Sequence, residues 1–85
     1  MNYTVEITDS FSRELIQAPR KIAKKVSESY STLRNQPMGP HKKITKLHKW
    51  IAFFRYRIGD YCFTYHVCDR EKTVKLIGLA KQDNF

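Results

Sequence analysis

Residues 54–61 read Phe-Arg-Tyr-Arg-Ile-Gly-Asp-Tyr, a stretch that decides the fold because it joins two strand-like runs by a tight turn. The flanking runs, residues 51–58 and 61–67, consist mainly of aromatic and β-branched residues, which favour strands. Gly59-Asp60 puts glycine at the first turn position, where a type II′ turn requires a positive φ. The stretch therefore predicts an antiparallel β-hairpin with a two-residue turn.

The predicted hairpin has two unlike faces. Counting outward from the turn pairs Ile58 with Tyr61, and side chains alternate between faces along each strand. One face then carries only apolar and aromatic side chains, namely Phe54, Tyr56, Ile58, Tyr61, Phe63 and Tyr65. The other carries Phe53, Arg55, Arg57, Cys62, Thr64 and His66. We expect the first face to form the core and the second, which is cationic, to face solvent.

The remaining sequence completes a single α+β domain over residues 1–85. Residues 3–7 predict a first strand, Thr8-Asp9-Ser10 predicts a capped helix, and Pro19 predicts the start of a second helix. A last strand is expected over residues 73–79. The order is β-α-α-β-β-β, with an N-terminal helical hairpin packed on one face of a twisted, mainly antiparallel sheet. Its apolar helical positions include Phe11, Leu15, Ile16, Ile22, Val26, Tyr30 and Leu33.

The basic charge is concentrated in one segment. The chain has 16 Lys and Arg residues against 8 Asp and Glu residues, a formal net charge of +8. Such an excess favours an anionic partner, such as nucleic acid or an acidic protein. The alternative interpretation is a solvated charge run. Residues 35–57 contain no acid and these cations: Lys42, Lys43, Lys46, Lys49, Arg55 and Arg57.

The composition predicts a cytoplasmic protein that contacts no membrane. No apolar run approaches the ~20 residues of a membrane span, and residues 1–10 do not resemble a secretion signal. Cys62 and Cys68 lie in one predicted strand with α-carbons ~20 Å apart, too far for a disulfide. Their spacing is not that of a zinc site, so neither a metal nor a cofactor is expected.

Three segments together resemble the RelE/ParE superfamily of bacterial type II toxin–antitoxin toxins. They are Lys46-Leu47-His48-Lys49, the hairpin stretch 54–61, and Tyr65-His66-Val67-Cys68-Asp69. The resemblance spans essentially the whole chain, and the predicted element order is that of the RelE fold. It implies a toxin held inactive by an acidic cognate antitoxin, with operator DNA contacted only through that complex.

The resemblance leaves the target of the toxin open. A RelE-like member is a metal-independent, ribosome-dependent mRNA endonuclease, in which the 2′-hydroxyl attacks the adjacent phosphate. Its partners would be the ribosome and mRNA. A ParE-like member inhibits DNA gyrase by binding, and a decayed member only binds antitoxin. We take the RelE-like activity as the first hypothesis.

The resemblance and the charge pattern name the candidate site. Arg55, Arg57, Lys81 and His66 are the candidate catalytic residues, because guanidinium groups stabilise a pentavalent phosphorus and an imidazole transfers protons near neutral pH. Solvated arginines and a structural histidine are the alternatives. Trp50, beside Lys49, is expected in the core, with base stacking as its alternative. The candidate phosphate contacts are Lys42, Lys43, Lys46 and Lys49.

Three positions depart from the RelE pattern. Cys62 and Gln82 stand where the family has arginines, and Phe85 stands where a tyrosine is expected. Loss of one transition-state contact commonly costs ~10²–10³ in rate. These departures predict a slow nuclease or none, and they favour the ParE-like alternative.

Overall fold

The computed structural model describes residues 2–81, which form two helices on one face of a five-stranded mixed sheet. This arrangement confirms the predicted α+β fold and adds one short strand between the helices and the hairpin. The elements are β1 (Thr4–Ile7), α1 (Asp9–Gln17), α2 (Arg20–Asn35), β2 (Ile44–Lys46), β3 (Phe53–Ile58), β4 (Tyr61–Cys68) and β5 (Thr73–Lys81).

The sheet has the strand order β1-β5-β4-β3-β2. Strand β1 runs parallel to β5, and the other three pairs are antiparallel, so the sheet is mainly antiparallel as predicted. The additional strand β2 pairs with β3 at the edge of the sheet, with Thr45 opposite Arg55. Its three residues are too few to show an alternating pattern in the sequence, which explains why it was not predicted.

The register of the β3–β4 hairpin is the predicted one. Ile58 lies opposite Tyr61, Arg57 lies opposite Cys62, and the pairing extends to Phe53 and His66. Gly59 has a φ of +69°, as the first position of a type II′ turn requires. Strand β3 begins at Phe53 rather than at residue 51. The backbone before it turns, and the Phe53 N–H donates to the Ile51 carbonyl at 2.7 Å.

The core lies between the helices and the aromatic face of the hairpin. The rings of Tyr56 and Phe63 stack 5.2 Å apart, and Phe11 of α1 meets Phe63 edge-on at 5.8 Å. The α2 stripe is confirmed, with Ile22, Val26 and Leu33 buried and Tyr30 partly buried. The expectation for α1 was wrong at Ile16, which is 80% exposed.

Side-chain hydrogen bonds fix the start of α1 and the loop after α2. The Thr8 hydroxyl caps α1 by accepting from the Phe11 N–H at 3.2 Å, as the sequence predicted. Helix α2 begins directly after Pro19. The Tyr65 hydroxyl donates to the Pro37 carbonyl at 2.6 Å, and burial raises the pKa of this tyrosine. Within residues 2–81, neither helix is long and apolar enough to cross a membrane.

Candidate functional site

The hairpin face that points away from the helices carries the candidate residues, and we call it the open face. Arg57 lies opposite Cys62, and Arg55 lies opposite Thr64. Arg57 is exposed, whereas Arg55 and His66 are half-buried. The open face comprises Phe53, Arg55, Arg57, Cys62, Thr64 and His66.

Strand geometry brings three of the four candidate catalytic residues into one neighbourhood. Arg55 and Arg57 are two positions apart on β3, so their α-carbons are ~7 Å apart. His66 lies two residues beyond Thr64, the partner of Arg55, which makes it a diagonal neighbour of Arg55 at ~7–8 Å. The α-carbons of Arg57 and His66 are about 14 Å apart, because His66 lies four positions beyond Cys62, the partner of Arg57. Contact of all three groups with one phosphodiester therefore stays a prediction.

The fourth candidate, Lys81, lies elsewhere. It is opposite Tyr61, whose side chain belongs to the helix-facing side of the sheet, and it lines a depression that also includes Glu14 and Gln17 of α1. Its ammonium group lies 4.0 Å from an Asp60 carboxylate oxygen, and both side chains are exposed. The structure therefore does not bring Lys81 together with the open face, and its catalytic role stays a prediction.

The four candidate phosphate-binding lysines follow the edge of the sheet formed by β2. Lys42 and Lys43 precede β2, Lys46 ends it, and Lys49 follows it, all with exposed side chains. Lys46 is opposite Phe54, so the register turns it away from the open face. The lysines form a cationic border along one side of the arginine pair rather than a patch around it.

The loop between β2 and β3 contains a residue whose placement was predicted wrongly. Trp50 is 83% exposed instead of lying in the core, and the Lys49 ammonium group lies 5.5 Å from the centre of its ring. The His48 imidazole organises this loop, because its Nδ1 accepts from the backbone N–H groups of Trp50 at 3.1 Å and Ile51 at 3.2 Å. The neutral ring therefore carries its proton on Nε2.

An apolar depression of about 440 Å³ lies beside the arginines, and we call it the apolar cleft. Sequence reasoning missed it, although the predicted register had already put Phe53 on the open face. A cleft wall from a loop cannot be inferred from strand alternation. The lining residues are His48, Ile51, Phe53, His66 and Ile77.

The cysteines and acidic groups show no metal-binding arrangement in the described part of the chain. Cys62 and Cys68 are both free thiols, as their spacing predicted. Within residues 2–81, no three His, Cys, Asp or Glu side chains cluster as ligands would. Cys62 is half-buried beside Arg57, so the first departure from the RelE pattern falls on the open face itself. Gln82 and Phe85 lie outside the described residues.

The fold has counterparts among solved structures. The chain is similar to the archaeal RelE–RelB complex from Pyrococcus horikoshii, with 26% identity, a TM-score of 0.86 and 100% coverage of both chains. The chain has a RelE-like fold. It is also similar to the RelBE2 toxin–antitoxin complex from Mycobacterium tuberculosis, with 25% identity, a TM-score of 0.79, and coverage of 95% of this chain and 99% of that one.

A more distant structure shares the fold of the RelE-like chain. The YoeB/ParE toxin from Agrobacterium tumefaciens is 13% identical, with a TM-score of 0.75 and coverage of 92% of this chain and 96% of that one. No protein-family model matches the sequence, and no curated protein sequence matches it either. The similarity therefore lies mainly in the fold. It confirms the resemblance to RelE/ParE toxins that the sequence indicated.

Proposed function

We propose that this RelE-like chain is a toxin that cleaves ribosome-bound mRNA without a metal ion. The observation that supports the proposal is the shared open face of Arg55, Arg57 and His66. An RNA 2′-hydroxyl oxygen forms a bond to the adjacent phosphorus, and the bond from phosphorus to the 5′-oxygen breaks. The products are a 2′,3′-cyclic phosphate and a 5′-hydroxyl.

Each group has a distinct part in this reaction. The guanidinium groups of Arg55 and Arg57 hold the phosphate and stabilise the extra negative charge of the pentavalent phosphorus. The His66 imidazole exchanges a proton with the attacking or the leaving oxygen. One imidazole cannot serve both oxygens at once, and Lys81 lies on the other side of the sheet. We therefore expect slow cleavage.

The lysines and the net charge support a polyanionic partner in the same proposal. Lys42, Lys43, Lys46 and Lys49 border the open face along β2, where they would contact phosphates of mRNA or of the ribosome. A net charge of +8 also suits an acidic antitoxin, and the Pyrococcus and Mycobacterium relatives were both solved as toxin–antitoxin complexes. We propose that operator DNA is contacted only through such a complex.

Toeprinting of translating ribosomes tests the cleavage. The purified chain should produce cuts in the ribosomal A site, and Arg57→Ala should reduce the cutting rate by about 10²–10³. Arg70→Ala is the matched control, because it removes the same charge from an exposed turn between β4 and β5. Cys62→Arg should raise the rate by restoring a cation beside Arg57. Intact mRNA alongside normal translation would contradict the proposal.

A second candidate function is inhibition of DNA gyrase by binding. It is favoured by the same observations that predict slow cleavage, namely a thiol at Cys62 and a Lys81 remote from the arginines. Binding needs a complementary surface but no proton transfer. A supercoiling assay with purified gyrase separates the two functions, because an mRNA nuclease leaves supercoiling unchanged.

A further inference from the structure

We propose that the apolar cleft binds one nucleobase of the RNA whose phosphate lies on the arginine pair. The inference rests on the proposed function and adds a base-binding site to it. The juxtaposition that supports it is direct, because Phe53 lines the cleft and Arg55 is the next residue on the same face of β3.

The shape of the cleft suits a flat ring. Phe53 and His66 are cross-strand partners, and Ile77 lies on the adjacent strand β5, so the floor spans three neighbouring strands, or about 10 Å. Ile51, which is 50% exposed, and His48 form a wall from the loop. A benzene ring and two imidazoles offer faces on which a base of any sequence can stack.

The charges around the cleft orient the RNA. Arg55 lies ~7 Å along β3 from Phe53, a separation similar to that between the phosphate and the base of one nucleotide. The five lining side chains include no carboxylate. A separate depression that shares His66 contains Glu6 and Glu71 against one cation, Lys75, so it is a less favourable path for a phosphate backbone than the arginine pair. The backbone is therefore directed toward the arginines while the base lies over apolar atoms.

The wall that His48 and Ile51 form is apolar. The His48 Nδ1 accepts from two backbone N–H groups of the loop, and the ring contributes only carbon atoms to the lining of the cleft.

The test compares two short RNAs. A fluorescein-labelled 2′-O-methyl trinucleotide resists cleavage, and a second one lacks the central base but keeps every phosphate. At low salt, fluorescence anisotropy should show the complete RNA binding about tenfold tighter than the abasic RNA. In Ile51→Ser this ratio should fall close to one, with the affinity for the abasic RNA unchanged. Ile16→Ser is the matched control, an exposed isoleucine on α1.

The outcomes separate this inference from the proposed function. Equal affinity of the original chain for both RNAs overturns the base site, and so does failure to bind either RNA. A-site cuts measured in parallel by toeprinting then show whether the nuclease function still holds. If Ile51→Ser instead weakens only the binding of a protein partner and leaves the ratio intact, the cleft is a protein contact and the base site is wrong.

Discussion

The β3–β4 hairpin has twelve paired residues, six on each face, and the two faces differ in burial and polarity. On the covered face Phe54 stacks on Tyr65 at 5.6 Å, and both rings are almost completely buried. On the open face the neighbouring residues Arg55 and Thr64 are only half-buried. Packing therefore buries alternate residues of one strand and leaves the others partly exposed. Substitutions on the two faces should have separable effects.

The largest effect is expected for Phe63→Ala on the covered face. Phe63 is 1% exposed and contacts rings from both the sheet and α1, so its loss leaves a cavity that the fold cannot close. The free energy of unfolding should fall by about 3–5 kcal/mol in urea titrations. Thr64→Ala changes the next residue on the open face and should alter the same quantity by less than about 0.5 kcal/mol. Similar losses for both variants would contradict the separation of the faces.

A smaller loss is expected where α1 reaches around the edge of the sheet. The Leu79 N–H of β5 lies beyond the end of β1 and donates to a Glu14 carboxylate oxygen at 2.9 Å. Glu14→Ala removes this charged acceptor and should cost about 2 kcal/mol. Glu14→Gln keeps an oxygen at the same reach and should recover part of the loss. If the two variants melt alike, this hydrogen bond does not stabilise the edge.

The contrast between the faces was predictable from the sequence, because it depends only on a period of two and on one glycine turn. The positions of Lys46 and Lys81 relative to the open face were not predictable to the same degree. Lys46 depends on the pairing of β2, a strand of three residues. Lys81 depends on a β-bulge between β4 and β5, which shifts the register between Thr64 and Tyr65. The sequence contains no local signal for either.

Trp50 and Ile16 show the same limit of prediction from sequence. Trp50 was expected in the core because large aromatic side chains usually bury their surface, but the backbone bonds to His48 hold its segment as a turn at the sheet edge. Ile16 follows the helical period, yet α1 is short and buries only Phe11 completely. Tertiary placement decides such positions, so the apolar cleft required the structure.

Tyr65→Phe tests whether the covered face also anchors the loop before β2. The variant keeps the ring but removes the donor to the buried Pro37 carbonyl, and it should lower the free energy of unfolding by about 1 kcal/mol at pH 7. Burial raises the pKa of Tyr65, so ionisation in the unfolded chain must lower the stability of the original protein above pH ~10. Tyr65→Phe should therefore lose less stability than the original protein between pH 7 and pH 11, which urea titrations at the two pH values would show. If the variant and the original protein lose the same free energy of unfolding between these pH values, Tyr65 does not contribute to the pH dependence.

The smallest effect is expected at Asp69, in the turn that joins β4 to β5, outside both faces. The Tyr3 hydroxyl donates to its carboxylate and the Lys72 ammonium group lies 3.1 Å away; both bonds lower the pKa of Asp69. A lowered carboxyl pKa gives stability that is present above the unfolded value of about 4 and is lost as the pH falls through the folded value.

Asp69→Asn keeps an acceptor for Tyr3 but has no proton to gain. Its urea midpoint should therefore fall less steeply than that of the original chain between pH 5 and pH 2, while the two differ little in RNA cleavage at pH 7. Parallel midpoint curves would show that this carboxylate contributes nothing to the turn, and a loss of cleavage would show that the open face is not independent of it.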